Sequence, residues 1–113
     1  MDIEQPSSAA PVDPSNYDLE LAIPREEIDA IDGELVDLLN RRAKCALEVV
    51  RIKMSHNLPI FVSSREEAVL DRICSLNNEE LIPSEYIRSL FQAIMKVSRG
   101  VQQKAWDNAE GSN

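Results

Sequence analysis

From about Arg25 to Ser55 the chain has no proline and a single glycine, Gly33. No other feature constrains the fold as strongly. Pro24 suits a first helical turn, where its missing N–H costs nothing. Glu26, Glu27 and Asp29 crowd the start, and Lys44, Arg51 and Lys53 collect toward the end, as the helix dipole favours. Ile28, Ile31, Leu35, Leu38, Cys45, Val49 and Ile52 follow one another at heptad-like spacing, with one interruption at position 42. The pattern predicts a helix of about 30 residues, roughly 45 Å long. A compact domain of ~100 residues has a radius of gyration near 13 Å, so such a helix overshoots it and leaves apolar seam in water. A second chain packed along the seam removes that cost. The expected fold is all-α, with one long, one short and one medium helix forming an intertwined, two-fold symmetric homodimer.

The two shorter helices follow from punctuation. Asn57 and Pro59 end the long helix, and Leu58, Ile60, Phe61 and Val62 read as an apolar linker. Ser64-Arg65-Glu66-Glu67 reads as a capping box, with Ser64 as N-cap and Glu67 at the third helical position. The second helix is expected to reach about Leu76 and to bury Val69, Leu70 and Ile73. Asn77 to Glu80 form a polar turn. Pro83 then opens a third helix carrying Ile87, Leu90, Phe91, Ile94, Val97, Val101 and Ala105. Cys45 and Cys74 each sit in an apolar helical pattern and read as small buried hydrophobes.

The net charge of -8 argues against nucleic acid or an anionic membrane as partner. Its distribution matters more than its size. Asp2, Glu4, Asp13, Asp18 and Glu20 lie before residue 21, and Asp107 and Glu110 lie after residue 104. Of the 20 acids and 12 bases, this leaves 13 against 12 in residues 21–104. The expected organisation is a flexible acidic leader over 1–19, a helical domain over 20–106 and a tail over 107–113. No run of 18 apolar residues marks a membrane span, and no basic, apolar start marks a secretory signal. The expected location is the cytoplasm. No cysteine or histidine spacing fits a metal, and His56, the only histidine, lies in a predicted loop, so neither a zinc site nor a His-based triad is expected.

Within that near-neutral body, polar residues stand where the helical period calls for apolar ones. Arg42 falls between Leu38 and Cys45 on the seam, and Lys53 follows Val49 by four. Arg42 and Lys53 are about three turns apart on one face. Arg25 precedes Ile28 by three and extends the same stripe. Glu66 stands three, four and seven residues before Val69, Leu70 and Ile73, with Arg65 beside it. Ser98 follows Ile94 by four, and Gln102 follows Ser98 by four. Each has a bland account: snorkelling, a helix-start charge, an interhelical hydrogen bond. Together they place four cations with one carboxylate and one amide on inward faces. Unpaired buried charge costs several kcal/mol per ion, so the set points to an anionic ligand with two or more negative groups.

These residues resemble the all-helical (AroQ-class) chorismate mutases. Arg25 to Asp32 is similar to that family's opening motif. Leu38-Leu39-Asn40-Arg41-Arg42, Lys53, Pro59, Arg65-Glu66, Ser98 and Gln102 continue it in order over about residues 20–106. The resemblance implies conversion of chorismate to prephenate by Claisen rearrangement, serving phenylalanine and tyrosine biosynthesis, without cofactor or metal. It implies that Arg42 and Arg65 of one subunit, with Arg25 donated across a homodimer interface, hold the substrate carboxylates. It implies that Lys53 and Gln102 bind the ether oxygen, Lys53 also touching a carboxylate, that Glu66 binds the ring hydroxyl and that Ser98 helps near a carboxylate. The family often has Asp in the linker where this chain has Val62; that contact runs partly through the backbone N–H, which Val62 still supplies, while the side-chain part is missing. The alternatives are an isochorismate-pyruvate lyase of the same fold and a non-enzymatic helical dimerisation module. The second explains the seam but not the inward cations.

Overall fold

The computed structural model describes residues 14–111, and among these the secondary structure is wholly helical: α1 spans Pro14–Ser55, α2 Ser63–Ser75 and α3 Ser84–Gly111. Their 42, 13 and 28 residues reproduce the long, short, medium order. No described helix is long and apolar enough to cross a membrane. The chain divides into two compact units, Met1–Leu39 and Asn40–Asn113.

In the first unit α1 begins at Pro14, well ahead of Arg25, and Pro24 lies inside the helix. The segment Asp18-Leu19-Glu20-Leu21-Ala22 is rich in strong helix formers, and it carries the helix past the proline. The expected leader over 1–19 is therefore helical from Pro14. Residues 1–13, which hold the rest of that leader, lie outside the described residues. Leu19, Ile23, Ile28, Ile31, Leu35 and Leu38 are all exposed within this chain.

In the second unit α2 packs against α3. Val69, Leu70, Ile73 and Met95 form the core, with Ile87 and Phe91 against it. The three residues expected to be buried on α2 are buried. On α3 the core face is Ile87, Phe91 and Met95, spaced by four, whereas Leu90 and Val97 are exposed. On α1, Ala46 and Val50 are buried, and Cys45, Val49 and Ile52 are exposed. Neither cysteine matches the expected burial: Cys45 is exposed, and Cys74 is half-buried with its thiol toward the Ser84 carbonyl at 3.8 Å.

The helix ends explain how the linker is held. Asn57 takes a left-handed conformation, φ 55°, which Asn tolerates better than most residues. Its N–H bonds the Met54 carbonyl at 3.3 Å, and the Leu58 N–H bonds the Lys53 carbonyl at 2.8 Å. This is a Schellman closure of α1. At α2 the capping box does not form. Val62 occupies the N-cap in an extended conformation, with no side-chain cap bond. The N–H groups of Arg65 and Glu66 both reach the Val62 carbonyl at 3.1 Å. Glu67 turns instead to Arg88 on α3, which also bonds Asp71 at 3.3 Å. The Asp71 hydrogen bond pushes the Arg88 guanidinium above its ordinary value. The Pro83 carbonyl accepts from Tyr86 and Ile87 and starts α3. That helix continues through the expected tail to Gly111, with Gln103 bonding Asp107 and Trp106 bonding Glu110 one turn on.

Candidate functional site

The second unit contains a cavity of about 620 Å³ walled by all three helices and the linker. That volume suits a small molecule. Arg42 and Lys53 enter from α1, Val62 from the linker, Arg65 and Glu66 from α2, and Ser98 and Gln102 from α3. Of the eight residues singled out from the sequence, seven converge here. Arg25 lies in the first unit, exposed on α1.

Each side chain is set by its element. Lys53 is in the last turn of α1, where the Schellman closure folds the linker back. Its Nζ donates to the Ile60 carbonyl at 2.8 Å, which ties the ammonium to the cavity wall. Val62 lines the wall at the α2 N-cap. Gln102 is buried, at 8% exposure, and its Nε2 lies 3.3 Å from Ser98 Oγ and 3.4 Å from the Ser98 carbonyl. Its Oε1 is buried with no hydrogen-bond partner. A buried, unpartnered amide oxygen is costly, and it marks a polar group awaiting a partner.

Two cations on the wall escape the sequence reading. Arg99 of α3 pairs with Glu66, its Nη1 reaching the two carboxylate oxygens at 2.5 and 2.6 Å. Arg72 of α2 also lines the cavity. Both had a periodic signal: Arg99 extends the four-residue spacing of Ile87, Phe91 and Met95, and Arg72 follows Arg65 by seven. The wall thus carries five basic side chains, Arg42, Lys53, Arg65, Arg72 and Arg99, against one carboxylate, Glu66. Among the described residues, Arg42, Arg65 and Arg72 make no side-chain hydrogen bond or ion pair. The described residues form no group able to hold a metal. What the arrangement can do is bind a compact polyanion and donate hydrogen bonds to it.

The chain is similar to several known proteins. Residues 24–103 match the family model for chorismate mutase type II. The chain is 38% identical over 83 residues to the bifunctional chorismate mutase/prephenate dehydratase of Aquifex aeolicus, covering 71% of this chain and 23% of that protein. It is 35% identical over 79 residues to the protein of that name from Escherichia coli K12, covering 70% and 20%. The chain therefore spans less than a quarter of the length of these curated relatives. Among solved structures, chorismate mutase from Helicobacter pylori in complex with prephenate superposes with a TM-score of 0.70 at 33% identity, over 77% of this chain and 93% of that one. Chorismate mutase form II from Thermus thermophilus gives 0.71 at 30% identity, over 74% and 94%.

Proposed function

Since the chain belongs to the type II chorismate mutase family, we propose that it isomerises chorismate to prephenate, in the cytoplasm, as a homodimer. The observation that carries this is the cation excess of the cavity wall, with three arginines free of any internal partner among the described residues. A dianion of suitable size relieves that imbalance. The existence of relatives bearing this activity in their names, one of them solved with prephenate bound, supports the same substrate class.

The chemistry asks little else of the protein. Breaking the ether C–O bond and forming a C–C bond within one molecule needs no nucleophile and no net proton transfer. The flexible dianion must be held in its compact reactive shape. Arg42 and Arg65 clamp the carboxylates, with Arg25 reaching in from a second copy, and Ser98 assists near a carboxylate. Glu66 accepts a hydrogen bond from the ring hydroxyl, and Val62 lines the same cavity. Negative charge grows on the ether oxygen as the bond lengthens. Lys53 and Gln102 donate to it, and because both are anchored beforehand, little reorganisation is needed in the transition state. Lys53 is held through Ile60 and Gln102 beside Ser98.

The apolar stripe of α1 supports the dimer. Ile28, Ile31, Leu35 and Leu38 are 43–53% exposed in a single chain. A regular apolar seam of this kind is what a coiled-coil-like partner covers. A second copy carries the same seam and the Arg25 that the cavity lacks.

Incubation with chorismate and, separately, with isochorismate tests the reading. Prephenate from the first is expected. Salicylate from the second, with no prephenate from the first, would assign the chain to the pyruvate lyases of the same fold.

A further inference from the structure

Arg99 is the one cation on the wall that already holds a carboxylate. Its Nη1 donates to both oxygens of Glu66, and the two side chains are only 34% and 23% exposed. Its guanidinium also lies over the Phe61 ring, Cζ 5.0 Å from the centroid. Such stacking favours the delocalised guanidinium over an ammonium. Three elements therefore meet at one ion pair: Phe61 from the linker, Glu66 from the first turn of α2 and Arg99 from α3.

Glu66 needs such a brace. It sits on the first turn of a helix with no side-chain cap, and its side chain has several rotatable bonds. A carboxylate that must accept from a ring hydroxyl at one point in the cavity loses rate when it is free to swing. Each carboxylate oxygen has two lone pairs, so the Arg99 contact leaves acceptor capacity on both for a ligand hydroxyl. The same contact leaves Arg99 poorly disposed to bind the substrate directly. Its Nη1 is committed to Glu66, and the Phe61 ring lies against the guanidinium.

We propose that Arg99 is a positioning residue for this site: it acts through Glu66, and the Phe61 ring holds it in place. The proposal rests on the mutase reading above. It makes Glu66 the contact and Arg99 the support, which predicts coupling between the two rather than independent contributions.

A double-mutant cycle on the full chain tests this, with chorismate turnover and melting temperature measured for every variant. Arg99→Met is expected to lower kcat/KM by about 10- to 100-fold, the worth of a hydrogen bond to a charged group. In the Glu66→Gln background the same change should cost less than about threefold, because the group it supports is already gone. Arg99→Lys keeps the charge without the planar fork and should recover part of the loss. Equal losses in both backgrounds would mean that Arg99 touches substrate itself or acts only on stability, and would overturn the proposal. Wild-type kcat/KM in Arg99→Met would overturn it too. A folded wild-type chain that turns over no chorismate would overturn the mutase reading and this inference with it. A wild type that turns over chorismate while the cycle is additive would overturn this inference alone.

Discussion

Gln102→Glu tests the electrostatics of the site with a change of one atom. Gln102 is 8% exposed, its Oε1 has no partner, and its Nε2 has only the long contacts to Ser98. A carboxyl in that place is poorly solvated in its charged form, which raises its pKa, while the cations on the wall pull the other way. Burial at 8% exposure outweighs the cations, so the net shift is upward, and each unit of it is worth about 1.4 kcal/mol. Below that pKa the neutral acid donates its proton toward the ether oxygen. Above it the carboxylate repels the charge that grows there. The variant should therefore lose kcat/KM about tenfold per pH unit above its pKa, while the wild-type amide, which does not titrate, imposes no such limb. Stability follows the same proton. The folded variant keeps it where the unfolded chain, with a pKa near 4.3, has already released it. The variant thus loses stability as pH rises from about 4.3, by about 1.4 kcal/mol for each unit of upward shift, and the loss levels off above the folded pKa. The assay is kcat/KM from pH 4.5 to 8.5 for both proteins, with melting temperatures at the same points. A variant profile parallel to that of the wild type would refute the reasoning and remove Gln102 from the reacting centre.

Five further substitutions probe the site, the dimer seam and the core separately. Arg42→Ala removes a side chain with no internal partner, so activity should fall by about a hundredfold or more while the melting temperature holds; Lys53→Ala should cost as much activity and also about 1 kcal/mol of stability through the lost Ile60 bond. Near-normal turnover of folded Arg42→Ala would cancel its assignment. Leu35→Asp places a charge on the exposed seam of α1 and should shift the protein from dimer to monomer in sedimentation equilibrium, with activity lost alongside; an unchanged dimer would exclude this seam as the interface. Leu70→Ala, in the core at 2% exposure, should cost about 2–5 kcal/mol in denaturant unfolding, and Leu81→Ala, 85% exposed, should stay within about 0.5 kcal/mol.

The parts of the fold that were legible in the sequence are those where one strong local signal stands unopposed. The proline-free seam marked α1, and Asn57 marked its end, where a left-handed residue closes the helix. Val69, Leu70 and Ile73 were readable as core because α2 is short and one-sided. The start of α1 was not legible, since Pro24 suits a first turn and nothing local shows that the helix formers before it extend the same helix. The α2 cap was misread because Ser64 and Glu67 have the right spacing, yet Glu67 gains more from Arg88 across the helix pair than from its own N-terminus. Arg42, Lys53, Glu66, Ser98 and Gln102 were visible as polar breaks in apolar periods, with Arg65 beside Glu66, whereas Val62 came only with the family resemblance. Arg99 was not singled out, because its place on the Ile87, Phe91 and Met95 face is visible only once that face is known to be the buried one, and its partners Glu66 and Phe61 come to it only in three dimensions. The burial of the cysteines and of Leu90 and Val97 depends on packing partners that periodicity along one chain does not specify.

On the mutase reading, a cavity with an excess of cations rearranges a dianion without a covalent enzyme intermediate. The most direct test of that reading is the purified chain with chorismate as the only added reactant, following loss of chorismate and gain of prephenate together. The expected result is one prephenate for each chorismate consumed, at a rate about a millionfold or more above the uncatalysed reaction. Chorismate consumed no faster than in buffer alone, by a protein shown to be folded and dimeric, would contradict it.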